Sequence, residues 1–136
     1  MNPIEATLLD LADVSWPEFV AIPEAKVLTG TPETSTVVIT ESQRGQMGLW
    51  QVTPGSFTTD HTGYIEYIHI LSGTGRLVSE TGTVTELGAG STTVMPVGWK
   101  GRWEIDTTLT KVFTILHCDA DEFTIHTLEP AREASA

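Results

Sequence analysis

The sequence predicts an all-β domain, a sandwich or barrel built from short strands. From about residue 35 to residue 126, short β-branched or aromatic runs alternate with Gly, Pro or Ser-Gly turns. Residues 80–83 separate two such runs and give a strong hairpin signal, because Gly82 can supply a positive φ. The length of 136 residues suits a single domain with one core.

Three regions follow from this pattern. Residues 1–34 form an N-terminal arm, in which residues 3–13 are compatible with a short helix or turn after Pro3. Residues 14–34 contain three prolines and are expected to form an extended arm with short strand pieces, lying over a sheet. Residues 35–127 form the β-domain, and residues 128–136 form an acidic tail. The strands are predicted near residues 35–41, 46–53, 64–71, 74–79, 83–87, 92–96, 101–106, 110–117 and 122–127.

The strand at residues 64–71 is apolar on both faces. Alternation places Glu66 with Ile68 and Ile70 on one face and Tyr67 with His69 on the other. A strand of this kind needs cover on both sides, which the N-terminal arm or a second subunit can provide. This observation predicts a homodimer.

Composition limits the location and the partners of the protein. No apolar stretch is long enough to span a bilayer, and no signal peptide is expected at the N-terminus, so the protein is expected to be soluble and cytoplasmic. The formal net charge of −11 opposes binding to nucleic acids and anionic membranes. A small neutral or cationic ligand, or another protein, is the expected partner.

Two segments resemble the conserved motifs of the cupins. Residues 54–73, PGSFTTDHTGYIEYIHILSG, resemble the first cupin motif, and the spacing of seven between Glu66 and Gly73 matches it. Residues 90–98, GSTTVMPVG, resemble the second motif, in which a Gly precedes Pro-x-Gly. The resemblance implies a single-domain jelly-roll barrel, or double-stranded β-helix, with a short N-terminal helix or arm.

Residues 48–115 further resemble one branch of this superfamily, the DUF861 group. This branch is related to the cupin of ureidoglycine aminohydrolase and to the ethanolamine-utilisation Q-like proteins. The resemblance implies the fold more strongly than the reaction, since one fold supports many functions.

A typical metal cupin holds its ion with two histidines and a glutamate from the first motif and a His or Gln after the second. By position, these ligands fall on Thr59, His61, Glu66 and Gly101, so the resemblance leaves only His61 and Glu66 as metal ligands. Two side chains rarely hold a first-row metal, although Asp60 or Tyr64 could complete a site. The expectation is therefore either no cofactor or one divalent metal, Zn, Mn, Ni or Fe.

Without a metal, Glu66 is the candidate acid or base. Burial in an apolar barrel is expected to raise its pKa, and His61, Lys100 or Lys111 could pair with it. His61, Glu66 and Lys100 are the candidate catalytic residues. The alternative is a Glu66 held by structural hydrogen bonds only.

Aromatic residues are expected to line a ligand pocket. The candidates are Trp50, Tyr64, Trp99 and Trp103, and Gly101 is expected to leave space where a metal ligand would stand. Core packing is an equally good explanation for the tryptophans. Such a pocket beside Glu66 would suit a cationic or amine-bearing molecule.

Three functions remain open from the sequence. The protein could be an enzyme acting on a small nitrogen-containing or carboxylate metabolite, as the ureidoglycine aminohydrolase resemblance implies. It could instead bind a metabolite without changing it, or be a structural dimeric partner. An open cavity around Glu66 would argue against the structural role.

Overall fold

The computed structural model describes residues 4–126, and this part of the chain folds as a β-barrel with two single-turn 3-10 helices, at Leu11–Asp13 and Glu24–Lys26. The alternating burial along the strands reflects one face on the core and one face outside. The strands are β1 (Val20–Ala21), β2 (Val27–Gly30), β3 (Glu33–Ser42), β4 (Gly45–Val52), β5 (Gly55–Asp60), β6 (Tyr64–Ser79), β7 (Val84–Leu87), β8 (Thr92–Met95) and β9 (Lys100–His117).

One continuous antiparallel sheet curls around the core. Its strand order is β1-β3-β4-β9-β5-β2, and β6 pairs with β7, β8 and β9. Strand β9 is central: its first half pairs with β5, its second half with β4, and β6 runs beside nearly its whole length. The jelly-roll barrel predicted for this chain is confirmed.

The β6–β9 pair bends in its middle. The register shifts at three points between Ile70 and Gly75, so that both strands can pass from one side of the barrel to the other. Gly73 lies in this bend with φ of +89°, and a Cβ there would come within 2.3 Å of the Thr108 carbonyl oxygen. A side chain at this position would therefore disrupt the bend.

Most predicted strands are present, with changes at their joins. The predicted strands at residues 64–71 and 74–79 merge into β6, and those at 101–106 and 110–117 merge into β9. The predicted hairpin is formed, with Gly82 at φ of +92°. The strand β5 was not predicted, and residues 122–126 form no strand although one was expected at 122–127.

The N-terminal arm supplies edge strands rather than a helix. Apart from the turn at Leu11–Asp13, no helix forms between residue 4 and residue 13. The strands β1 and β2 add to β3 and β5, on opposite ends of the strand order, and Ser35 donates a hydrogen bond of 2.7 Å to the Pro17 carbonyl. The acidic tail predicted at residues 128–136 lies outside the described residues.

The core lies between the inner faces of the curled sheet. Its centre is fully enclosed and is formed by Val52, Ile68, Ile70 and Leu109. These residues come from β4, β6 and β9, so the core fixes the strands that carry the polar residues described below. No helix within residues 4–126 is long and apolar enough for a membrane crossing.

Candidate functional site

Three ionisable side chains meet inside the barrel. His61 follows β5, Glu66 lies on β6 and Lys111 lies on β9, and each is at most 5% exposed. His61 Nε2 is 2.8 Å from Glu66 Oε1, and Lys111 Nζ donates to Glu66 Oε2 at 2.6 Å. Both oxygens of the Glu66 carboxylate are therefore engaged by the chain itself.

Strand alternation brings these groups together. Glu66 shares the inner face of β6 with Ile68 and Ile70, as predicted. Lys111 shares the inner face of β9 with Leu109 and Phe113, which are core residues. Since β6 and β9 are paired, the long Lys111 side chain reaches Glu66 from the neighbouring strand.

Aromatic rings surround the Lys111 ammonium group. Its Nζ lies 4.2 Å from the ring centre of Trp50, 4.7 Å from that of Trp103 and 5.9 Å from that of Phe113. Ring faces attract cations at such distances. Trp50 and Trp103 were predicted to line a ligand pocket, and here they enclose a cation of the protein itself.

The charge state of Glu66 differs from the expected one. Burial alone raises the pKa of Glu66, but the nearby Lys111 ammonium and the hydrogen bonds from His61 and Lys111 outweigh burial and hold the pKa below its ordinary value of 4.5. The expectation of a raised pKa was wrong, because it gave burial more weight than the pairing with Lys111 that the sequence also allowed. Burial lowers the pKa of Lys111, and Glu66 opposes this effect.

The imidazole of His61 has one satisfied and one unsatisfied nitrogen. Because the Glu66 carboxylate can only accept, His61 Nε2 carries the hydrogen in this bond. The other nitrogen, Nδ1, is buried and has no hydrogen-bond partner among the described residues. The ring packs 4.6 Å from the ring of Tyr64 and 5.7 Å from that of Trp99. These contacts fix the ring orientation.

The residues present do not fit a metal ion of the kind that cupins hold. Thr59 and Gly101, at the two substituted ligand positions, are paired directly across β5 and β9. Glu66 already binds an ammonium group, which repels a dication at the same carboxylate. Within residues 4–126, no group of three His, Cys, Asp or Glu side chains could hold a metal. His61 and Glu66 therefore lack the further ligands that a stable site needs.

The space expected beside Gly101 is filled. A Cβ on Gly101 would lie 2.3 Å from the Val78 carbonyl oxygen and 2.6 Å from the Trp99 indole. The space expected in place of a ligand side chain is therefore absent, although Gly101 itself borders the open groove described next. Trp99 lies beside His61, and the His61 amide donates a hydrogen bond of 2.8 Å to the Trp99 carbonyl oxygen.

An open groove of about 580 Å³ lies next to the buried cluster. It runs over β2, the end of β5, the end of β6 and the start of β9, and it includes Tyr64 and Gly101 but not His61, Glu66 or Lys111. Burial, followed by the charge of Glu66, raises the pKa of Tyr64, so its hydroxyl stays protonated. The groove has the volume of a small-molecule site.

Lys100 lies in this groove and not at Glu66. It begins β9, is half exposed, and its Nζ is 4.0 Å from Asp60 Oδ2. Of the two lysines considered from the sequence, Lys111 is the one that meets Glu66. The position of Lys111 between core residues in a β-branched strand indicated that it could be buried. The sequence did not show which residue on a neighbouring strand it would contact.

The family is decided by a match to the EutQ-like cupin domain, which covers residues 39–113, more than half of the chain. The chain belongs to the EutQ-like cupin family. It is similar in fold to EutQ of Clostridium difficile, with 16% identity over 65% of this chain and 66% of that one, and a TM-score of 0.57. Comparison with curated proteins gives no match.

Two further solved structures resemble this cupin. A DUF861 protein of unknown function from Pseudomonas syringae has 17% identity and a TM-score of 0.67, over 76% of this chain and 45% of that one. A putative ethanolamine utilization protein Q from Salmonella typhimurium has 17% identity and a TM-score of 0.55, over 74% of this chain and 95% of that one. At these low identities the similarity shows a shared fold and nothing more. The chain spans less than half of the Pseudomonas protein and about two thirds of the Clostridium one.

Proposed function

We propose that this cupin binds a small molecule without a metal ion and without using Glu66 as an acid or base. One observation carries the proposal: both oxygens of the Glu66 carboxylate are bonded to buried groups of the same chain, His61 and Lys111. In this arrangement the interior ion pair supplies the positive charge that a metal would supply beside Glu66. The ion pair then stabilises the barrel and takes no part in a reaction.

The burial of the cluster supports binding over catalysis. A general acid or base must come within hydrogen-bond reach of its substrate. Glu66 and Lys111 are each 5% exposed and His61 is 1% exposed, so a ligand in the groove would not reach them without movement of the barrel. The lowered pKa of Glu66 also makes its carboxylate a weak base near neutral pH.

The ligand is proposed to bind in the groove beside the cluster. Thr59, Tyr64 and Ser79 bring hydroxyl groups to this groove, and Leu28 and Val78 bring apolar surface. A mixture of apolar walls and a few polar groups is typical of small-molecule sites. Tyr64 links the two regions, since its ring packs on His61 while the residue lines the groove.

Metal content tests the first half of the proposal. The protein, purified without a metal-binding tag, is analysed by elemental mass spectrometry beside a His61→Ala, Glu66→Gln double variant. We expect far less than one Zn, Mn, Ni or Fe per chain in both. Near-stoichiometric metal that is lost in the double variant would overturn the proposal and favour a metal enzyme of the ureidoglycine aminohydrolase kind.

Ligand binding tests the second half. A panel of small metabolites is screened by thermal shift in the presence of a chelator, and each hit is repeated on a Thr58→Trp variant, which fills the groove. Thr36→Trp is the control, because Thr36 is exposed on β3 and does not line the groove. We expect hits that are lost in Thr58→Trp and kept in Thr36→Trp. Hits that are unaffected by both changes would place the ligand elsewhere.

We also propose that the protein forms a homodimer through the outer face of β4, β9 and β6. Large apolar side chains remain exposed there, including Met47 (48%), Tyr67 (52%) and Leu116 (38%). Residues on this face alternate with the core residues of the same strands, so they belong to the uncovered side of the sheet. Exposed apolar patches of this kind are typical of interfaces.

A further inference from the structure

The groove beside Tyr64 collects positive charge in a strongly acidic protein. The chain has 7 Lys and Arg residues against 18 Asp and Glu. Three of the seven, Lys26, Lys100 and Arg102, line this one groove, together with only two acidic residues, Asp60 and Glu80. The local balance of charge is therefore opposite in sign to that of the whole chain.

The described part of the chain neutralises the three cations only in part. Lys26 forms no ion pair within residues 4–126, and Lys100 approaches Asp60 only at 4.0 Å. Arg102 donates through Nε to Glu104 at 2.7 Å, and its two terminal nitrogens have no hydrogen bond among the described residues. Donor groups on all three residues are thus available to a ligand.

Asp60 competes little for these cations. Its Oδ1 accepts the Thr62 amide at 2.9 Å and the Thr62 hydroxyl at 2.5 Å, so this carboxylate closes a turn after β5. The other oxygen, Oδ2, lies 4.0 Å from Lys100 Nζ, so Asp60 neutralises this one lysine only weakly. Glu80 lies on the exposed rim after β6, where solvent weakens its pull on a bound anion.

Strand pairing fixes the positions of the cations. Lys100 and Arg102 are two residues apart on β9 and so share one face of the strand, opposite Asp60 and Thr58 of β5. Lys26 immediately precedes β2, which pairs with the other side of β5. The three cations therefore approach the end of β5 from both of its neighbours.

We propose that this groove binds a small organic carboxylate, with Lys26, Lys100 and Arg102 as its anion-binding residues. The inference rests on the proposed function, and it names the chemical class of the ligand. Leu28 and Val78 supply apolar contact for a carbon skeleton, which favours an organic acid over inorganic phosphate. Of the ligands that the sequence left open, this choice keeps the carboxylate metabolite and drops the cationic one, because the Glu66 carboxylate that suggested a cation is already paired with Lys111.

The test is a titration of the ¹⁵N-labelled protein followed by NMR, at low ionic strength. The probes are succinate, its neutral analogue succinamide, and inorganic phosphate. We expect succinate to shift amide signals saturably at residues 58–60, 78–80 and 100–102, and succinamide to have little effect. Succinate binding should weaken several-fold when salt is raised to about 0.2 M, because exposed charges are screened.

Variants identify the residues responsible. A Lys100→Gln, Arg102→Gln double variant should bind succinate about ten-fold more weakly, a few-fold for each exposed charge pair removed. Arg44→Gln is the control, since it removes a positive charge outside the groove. Equal loss in the control and in the double variant would overturn the proposal, because it would reflect net charge alone.

The other outcomes separate this inference from the proposed function. If succinamide binds in the groove as tightly as succinate does, the ligand is not recognised as a carboxylate, but a small-molecule site remains. Phosphate binding as tightly as succinate would reduce the site to a general anion site and also refute the organic class. Signals that do not shift with any probe, together with stoichiometric metal in the purified protein, would refute both proposals.

Discussion

Replacing Lys111 by Met removes the ammonium group that faces Glu66 but keeps an unbranched side chain among Trp50 and Trp103. Glu66 is then left buried without a cation. Removing one partner of a buried ion pair typically costs about 3–5 kcal/mol of unfolding free energy. For a domain whose total stability is about 5–15 kcal/mol, this is a large part of the whole.

Protonation of Glu66 sets an upper limit on the part of this loss that comes from the unpaired charge. Instead of staying charged, the buried carboxyl group can take up a proton, at about 1.4 kcal/mol for each pH unit above its ordinary pKa of 4.5. At a pH of about 7.5 the limit is roughly 4 kcal/mol, and at a pH of about 5 it falls below roughly 1 kcal/mol. Lost contacts to Lys111 add a smaller amount that does not depend on pH.

The sign of the pH dependence therefore differs between the two proteins. In the wild type the pKa of Glu66 is lowered, so its contribution to stability is present above pH 4.5 and is lost as the pH falls through the lowered pKa. In Lys111→Met the pKa is expected to be raised, so stability falls as the pH rises from 4.5. Urea unfolding at both pH values measures the difference.

A second variant controls for the altered shape of the side chain. In Lys111→Met, Glu66→Gln both charges are absent, and we expect a stability within about 2 kcal/mol of the wild type at either pH. A Lys111→Met variant that loses less than about 1 kcal/mol near pH 7.5, or the same amount at both pH values, would refute a charged Glu66–Lys111 pair in the barrel.

Three further predictions concern the glycine, the metal and the dimer. Gly101→Ala should lower the unfolding free energy by about 1–3 kcal/mol, because the added Cβ would meet a carbonyl oxygen of β6 at 2.3 Å. Gly88→Ala is the control, since a Cβ at Gly88 would have no neighbour within 4 Å. Equal losses for the two variants in urea unfolding would contradict this prediction. The double variant Thr59→His, Lys111→Leu gains a third metal ligand and loses the buried cation. It should bind zinc in a calorimetric titration in which the wild type shows no binding. A double variant that also fails to bind zinc would show that more than these two positions prevent metal binding. Tyr67→Lys should shift the mass measured by light scattering from dimer to monomer, and an unchanged dimer would exclude this face.

The strands and their inner faces could be predicted from the sequence because they depend on local alternation. The inward placement of Glu66 with Ile68 and Ile70 is an example. The strand β5 was missed because Phe57 is its only large apolar residue, and β9 supplies the rest of its support. The strand expected at 122–127 had apolar residues, but residues 122–126 find no pairing partner in the described chain.

The candidate site was predicted only in part. His61 and Glu66 could be found because they lie five residues apart in one motif. Lys111 is 45 residues from Glu66, and its contact depends on the register between β6 and β9, which local pattern does not give. Because this pairing was only one of several that the sequence allowed, the pKa of Glu66 was expected in the wrong direction.

The central position of β9 also affects when the protein can fold. Its partners β4, β5 and β6 all precede it in the chain, and β9 is the last strand of the described residues. During synthesis these partners therefore leave the ribosome with unpaired edges, and the barrel cannot form until β9 has emerged. Pairing over such sequence distances is slow, so the strand edges that β9 will cover stay exposed to aggregation for longer than in a protein with local contacts.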